Sequence, residues 1–125
     1  MGQLFGTDGV RGIPGRYPLV PEFVRKLGFV SAALLREQLT KSRTCTNGAA
    51  PLILMGRDSR ASGVSLGRSL VRGFSKAGCV TADLGVLPTP ALSFLTPRRN
   101  ALCGVMISAS HNPAEFNGIK FFTAD

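Results

Sequence analysis

The run from Ser108 to Pro113 brings together residue types that commonly transfer groups in enzymes. Ser110 stands beside His111, the only histidine of the chain. Because the residue before a proline avoids the helical region, Asn112-Pro113 predicts a turn that presents the serine hydroxyl. Such a serine can act as a nucleophile or carry a transferred group. A polar turn in which serine and asparagine bond their own backbone explains the same residues, and both interpretations stay open at this point.

Two further segments hold groups that suit phosphate chemistry. The segment from Gly6 to Gly12 contains three glycines and Arg11, so its amides can approach a ligand closely while the guanidinium forks onto a phosphate. Lys120 lies in a β-prone segment after Asn117-Gly118, where it is placed to return near Ser110. A lysine there can neutralise a phosphate or move a proton. A plain flexible loop and a solvated edge lysine are the alternatives.

The elements that must position these residues alternate between helical and strand patterns. The predicted order is a short strand within residues 3–18, a helix over 21–39, a strand over 52–55, a helix over 62–77, a strand over 79–84, a helix over 90–96, a strand over 102–107 and a strand over 119–122. This order predicts an α/β fold, a three-layer α/β/α domain with a mainly parallel (mixed) sheet.

Local signals set the expected boundaries of these elements. Ser62 is expected to cap the second helix and Gly78 to end it. The third helix is expected to stop near Pro97. Asn117-Gly118 is typical of a hairpin turn, which predicts an antiparallel last strand. Ser65 matches a G-x-S-x-G pattern, but it falls inside a helical pattern rather than directly after a strand, so a nucleophile elbow is not favoured.

In sheets of this class, ligands gather at the carboxyl ends of the strands. Two polar clusters follow predicted strands there, Arg57–Arg60 and Ser108–Pro113. We therefore expect the functional site at this edge.

Composition narrows the class of partner. The chain has 125 residues, enough for one domain, and 15 Lys+Arg against 7 Asp+Glu give a net charge of +8. That balance favours an anionic partner such as nucleic acid, a membrane surface or a phosphorylated metabolite. Scattered charges, a single Tyr and the absence of Trp argue against nucleic acid. No apolar run reaches the roughly 18 residues that cross a bilayer. No membrane partner is expected.

Three widely spaced cysteines, Cys45, Cys79 and Cys103, argue against a disulfide framework and a zinc site. Cys79 and Cys103 lie in apolar runs and are expected to be buried. This usage predicts a reducing, cytoplasmic location.

Three motifs together identify a resemblance. FGTDGVRG at Phe5–Gly12, GRDSRASG at Gly56–Gly63 and ISASHNPAEFNGIKFF at Ile107–Phe122 resemble the α-D-phosphohexomutases, in the order found in that family. The similarity covers nearly the whole chain. The first motif favours the phosphoglucosamine branch over the phosphomannomutase and phosphoglucomutase branches.

The resemblance implies a set of roles. Ser110 would be the phosphoserine, in an interconversion of glucosamine 6-phosphate and glucosamine 1-phosphate through a hexosamine 1,6-bisphosphate. Its phosphate would bind Mg²⁺. Arg11 and Lys120 would lie near the transferring phosphate, with roles in proton transfer and charge stabilisation, while His111 and Asn112 would shape the serine loop.

The resemblance also implies a supporting loop, in which Arg57, Asp58 and Arg60 pack near the site. Members of the family have four domains, and residues 1–125 resemble only the first. The loops that would supply other metal ligands, sugar recognition and a second phosphate site have no counterpart here, so the isolated chain is expected not to turn over. A phosphomannomutase or phosphoglucomutase, a non-catalytic basic binding module and a dimerisation module stay open as alternatives, and first domains of this family often meet in homodimers.

Overall fold

The predicted alternation of strands and helices is present in the computed structural model, which describes residues 9–42 and 49–123. The elements are β1 (Val10–Gly12), α1 (Pro21–Ser42), β2 (Leu52–Arg57), α2 (Gly63–Lys76), β3 (Val80–Val86), α3 (Thr89–Arg98), β4 (Cys103–Ile107) and β5 (Asn117–Thr123). The Phe5–Asp8 part of the first motif and Cys45 lie outside the described residues.

The strands form one five-stranded mixed sheet in the order β1-β5-β4-β2-β3. The central strand β2 pairs in parallel with β3 on one side and β4 on the other. Strand β5 runs antiparallel to both β4 and β1. The α/β class, the mixed sheet and the antiparallel last strand are therefore confirmed.

Helices cover both faces of the sheet, which confirms the three layers. Alternate residues of β4 show this, since Val105 and Ile107 join the core under α1 and α2 while Met106 joins the smaller core under α3. Among the described residues, no helix is long and apolar enough to cross a membrane.

Cys79 and Cys103 are buried free thiols, as predicted. Burial, with a smaller contribution from Cys79, raises the pKa of Cys103 to about 12. A thiol held protonated in this way is a packing group rather than a nucleophile.

Asn117-Gly118 does not form the predicted turn. Both residues are buried in β5, paired with Gly12 and Arg11 of β1. The chain reverses earlier, where the Phe116 amide donates to the Pro113 carbonyl at 3.0 Å. The preference of Asn-Gly for a tight turn is overridden because strand pairing and burial stabilise an extended backbone here.

Ser62 is the N-cap residue of α2, as predicted, but it lacks the expected side-chain bond. Its hydroxyl instead accepts a hydrogen bond from Asn117 Nδ2 at 2.8 Å. At the other end, Gly78 adopts φ +83 just after the helix, as predicted for a terminating glycine.

Helix α3 ends at Arg98, one residue after Pro97, so the predicted end near Pro97 is confirmed although the helix includes the proline. Proline removes one backbone donor, but the Arg99 amide still donates to the Leu95 carbonyl at 2.9 Å. The cost is confined to the final turn, so the helix ends only one residue later.

Close contact between α1 and α2 depends on glycines. A methyl group at Gly73 would clash with the Arg25 carbonyl oxygen and the Phe29 amide, both backbone atoms of α1. We predict that Gly73→Ala lowers the free energy of unfolding by about 1–3 kcal/mol, because overpacking forces the two helices apart. Denaturant unfolding measures this change. Ser75→Ala, at an exposed site of the same helix, is the control and should stay within about 0.5 kcal/mol. A stability loss as small for Gly73→Ala would contradict the tight packing.

Candidate functional site: the serine loop

The carboxyl ends of β1, β2, β3 and β4 meet at one edge of the sheet, because β1 runs antiparallel to β5 and β5 antiparallel to β4. The segment over 108–116, which we call the serine loop, leaves β4 at this edge. The Asp58 amide donates to the Ile107 carbonyl at 3.1 Å, which holds the loop after β2 beside it. The two polar clusters predicted from sequence are therefore neighbours.

Ser110 is exposed and has an unusual backbone conformation. Its φ is +55, in the left-handed region that residues with a Cβ rarely adopt. The Ser110 amide donates to Ser108 Oγ at 3.0 Å, and the Asn112 amide donates to the Ala109 carbonyl at 3.1 Å. These bonds turn the chain sharply and present the Ser110 side chain at the sheet edge.

Arg60 holds this turn through the backbone. Its guanidinium donates to the carbonyl oxygens of Ser110 at 2.7 Å, Asn112 at 3.1 Å, Pro113 at 2.7 Å and Phe116 at 3.2 Å. Its side chain is only 10% exposed. A single planar cation thus binds four carbonyl oxygens of the serine loop. In a flexible loop these oxygens would be hydrogen-bonded to water instead.

Asp58 orients Arg60. Its carboxylate accepts from Arg60 Nε at 2.9 Å, from the Arg60 amide at 3.1 Å and from Ser108 Oγ at 2.7 Å. Burial alone raises the pKa of Asp58, but the Ser108 hydroxyl and the Arg60 amide and guanidinium outweigh it and lower the pKa below its usual value of 3.8. The carboxylate is therefore charged at neutral pH and links Arg60 to Ser108.

Strand β5 is hydrogen-bonded to the start of the serine loop. The Ser108 amide donates to the Gly118 carbonyl at 2.9 Å. A Cβ at Gly118 would stand 2.8 Å from the Ser108 carbonyl oxygen and 3.0 Å from the Val10 carbonyl oxygen. Only glycine fits between the loop and β1 at this point.

Arg11 lies on β1 and Lys120 lies on β5. Arg11 is paired with Gly118, and Lys120 lies two residues further along β5, paired with Met106. Both side chains therefore share the α3 face of the sheet. Lys120 Nζ lies 5.3 Å from the centre of the Phe122 ring.

The other predicted site residues differ in how they are joined to the serine loop. Arg60 donates directly to the carbonyls of Ser110 and Asn112, and Asp58 is joined to the loop through Arg60 and Ser108. His111 is exposed within the same loop. Arg57 is not in this network, since its guanidinium pairs with Asp83 at 3.4 Å.

The described residues do not by themselves fit a magnesium site. They contain no group of three His, Cys, Asp or Glu side chains that could hold a metal ion. The carboxylate next to the serine loop, Asp58, is already occupied by Arg60 and Ser108.

A sequence model of the family "Phosphoglucomutase/phosphomannomutase, alpha/beta/alpha domain I" matches residues 2–125. The chain belongs to this family.

Individual proteins of this family are similar to the chain over nearly its whole length. A phosphoglucosamine mutase from Janthinobacterium sp. is 48% identical over 98% of this chain, and one from Psychrobacter sp. is 46% identical over 97%. A crystal structure of a phosphoglucomutase/phosphomannomutase family protein from Burkholderia thailandensis superposes with a TM-score of 0.76 at 25% identity over 97% of this chain. The chain spans 26% of each of these three proteins, so it corresponds to one part of such a mutase.

Two supporting residues of this phosphohexomutase domain were not expected from sequence. Ser108 bonds both Asp58 and the Ser110 amide, and its spacing of two residues from Ser110 is the signal that suggests such a serine turn. Asn117 ties β5 to Ser62 before α2. No local pattern indicates that bond, because its partners are 55 residues apart.

We predict that Arg60→Lys loosens the serine loop. An ammonium cannot reach the loop carbonyls and Asp58 together, so protection of the amides over 110–116 in hydrogen exchange should fall, and stability should drop by about 1–3 kcal/mol. Arg25→Lys, at an exposed site of α1, is the matched control and should change neither. Unchanged loop protection in Arg60→Lys would show that Arg60 does not hold the loop.

The lowered pKa of Asp58 predicts an acid-sensitive loop. The charged carboxylate is favoured in the folded state, so its contribution to stability is present above pH 3.8 and disappears as the pH falls through the lowered pKa. We expect the Ser108 and Ser110 amide resonances to shift in this acid range. Asp58→Asn should abolish that titration, whereas a titration that persists in the variant would assign it to another group.

Proposed function

We propose that this chain is the phosphoserine-bearing first domain of a phosphoglucosamine mutase, which interconverts glucosamine 6-phosphate and glucosamine 1-phosphate. One observation carries the proposal. Ser110 is exposed in a left-handed conformation, held by Arg60 and Ser108, at a strand carboxyl end in a chain 45–48% identical to enzymes named phosphoglucosamine mutase. Such a serine is presented for group transfer rather than for packing.

In the proposed reaction, Ser110 Oγ carries a phosphoryl group. A hydroxyl of the hexosamine phosphate attacks the phosphorus, so a new bond to the sugar oxygen forms while the bond to Ser110 Oγ breaks. The hydroxyl proton passes to a base, for which Lys120 is the candidate. Ser110 Oγ leaves with the bonding electrons and takes up a proton to become a hydroxyl, while Arg11 balances the charge of the transferring group. The product is a hexosamine 1,6-bisphosphate. After this sugar turns over, the Ser110 hydroxyl gives up its proton and attacks the other phosphoryl group. The bond from that phosphorus to the sugar oxygen breaks, and the sugar oxygen takes up a proton.

His111 and Asn112 take part by shaping the loop. Asn112 offers its carbonyl to Arg60, and His111 follows Ser110 directly on the exposed side. Asp58 and Arg60 act through the backbone and are positioning residues. Arg57, which bonds Asp83 instead, is assigned no step.

Magnesium stays an expectation. A hard cation prefers about six oxygen ligands, and the phosphate of a phosphorylated Ser110 would supply only some of them. We therefore propose that magnesium binding depends on ligands from outside the described residues. For the same reason we propose that the 125-residue chain alone does not turn over.

A phosphomannomutase or phosphoglucomutase is the second candidate. The Burkholderia thailandensis structure carries those names, but its identity to this chain is 25%, against 48% for the Janthinobacterium phosphoglucosamine mutase. The higher identity favours glucosamine phosphates as substrates. A cytoplasmic location, homodimerisation and the absence of a nucleic-acid partner stay predictions.

A chimera tests the proposal. This chain replaces the matching segment of the Janthinobacterium phosphoglucosamine mutase, and turnover of glucosamine, mannose and glucose 6-phosphates is compared. We expect preference for the glucosamine phosphate and a phosphoryl group on Ser110 in the intact mass. Ser110→Ala should reduce turnover about 10⁴-fold or more, as removal of a nucleophile does elsewhere.

Ser65→Ala is the matched control for this chimera. Ser65 is exposed on α2, so its removal should leave turnover and phosphorylation unchanged. A preference for mannose or glucose phosphates would favour the second candidate. A folded, active chimera whose activity survives Ser110→Ala would overturn the role of Ser110.

A further inference from the structure

A second cationic surface lies away from the serine loop. We call it the arginine groove: a cavity of about 470 Å³ between α2 and the strands β2 and β3, with Arg57, Arg68 and Arg72 among its lining residues. Its apolar surface includes Met55 and Val71, and Asp83 is its one carboxylate. None of these residues belongs to the network that holds Ser110.

The charges of the groove are poorly balanced. Arg68 and Arg72 are exposed one turn apart on α2, and Lys76 follows one turn later, in a helix that contains no acidic residue. Within residues 9–42 and 49–123, no ion pair to Arg68 or Arg72 is present. Like charges four residues apart repel on a helix, so this arrangement weakens α2 unless an anion offsets it.

Arg57 adds a third guanidinium with only partial compensation. Its contact to Asp83 is 3.4 Å long, and the Asp83 side chain is 56% exposed. Exposed pairs of this kind contribute little free energy. Three guanidiniums against one carboxylate leave a net charge of +2 in a confined space.

The groove lies on the opposite sheet face from Arg11 and Lys120. Arg57 is paired with Ile107, which packs in the core under α1 and α2, whereas Lys120 is paired with Met106 under α3. A ligand in the groove would therefore not occupy the proposed path of phosphoryl transfer.

We propose that the arginine groove binds a small phosphomonoester. Guanidinium groups fork onto phosphate oxygens, and three of them here match a dianion. The volume falls within the range of about 300–1,000 Å³ that is usual for small-molecule sites. The apolar lining residues can contact the carbon atoms of the ligand. The proposal does not depend on the reaction proposed for Ser110.

Titration of the chain with glycerol 2-phosphate tests the site. In ¹H–¹⁵N spectra, the amides of Gly56, Gly67 and Asp83 should shift and saturate. Glycerol, and sodium chloride at matched ionic strength, should not reproduce these shifts. Ser110→Ala should leave the shifts unchanged, which separates the groove from the serine loop.

Charge-matched variants make the test specific. The double variant Arg68→Gln/Arg72→Gln should raise the Kd at least about tenfold. Arg25→Gln/Lys26→Gln removes the same net charge from exposed positions of α1 and should change the Kd less than about twofold. Arg68→Lys/Arg72→Lys keeps the charge but loses the forks, and should weaken binding about threefold or more. Thermal unfolding checks that each variant is folded.

Three outcomes would overturn the proposal. The first is the absence of saturable shifts at the groove, or shifts confined to residues 108–112. The second is equal weakening in the α1 and α2 glutamine variants, which would indicate a general charge effect. The third is an acidic peptide that binds the groove about tenfold more tightly than glycerol 2-phosphate, because the groove would then be a site for a protein partner.

Discussion

The hydrogen bonds of the Arg60 guanidinium are the constraint on which the site depends. They gather the carbonyls of Ser110, Asn112, Pro113 and Phe116 onto one cation, which Asp58 holds in place. A left-handed serine is costly in isolation, and the surrounding bonds make that conformation the stable one. The chemistry proposed for Ser110 thus rests on a residue 50 positions away in sequence.

The sheet makes this arrangement possible. Parallel pairing of β2 with β4 brings the ends of both strands to one edge, so Arg60 and the serine loop meet there. Antiparallel β5 then passes beneath the loop, where Gly118 allows the close approach of Ser108 and Val10. The same topology separates two cationic surfaces, with Lys120 on one face and the arginine groove on the other.

Periodicity and motifs predicted much of this structure. Helices α1 and α2, the central strands and the layers follow from apolar spacing, because burial of one face dictates that spacing. The sequence analysis predicted that Arg60 packs near the site, but it did not predict its hydrogen bonds to the serine loop. The turn predicted at Asn117-Gly118 was wrong because burial and strand pairing outweigh a local turn preference. The side-chain capping bond expected of Ser62 is absent, and its hydroxyl accepts a hydrogen bond from the distant Asn117.

The α/β class, the order of elements, the burial of Cys79 and Cys103, and the selection of Ser110 as a candidate for group transfer were all predictable from the amino-acid sequence. Local signals suffice for these features, since periodicity, proline and motif identity are read within a few residues. The folded chain was needed to show which carbonyls Arg60 binds. It was also needed to show that Arg57 pairs with Asp83, and that Arg68 and Arg72 line the same cavity as Arg57. Those contacts join residues brought together by strand pairing and helix packing, and no local pattern encodes such distances.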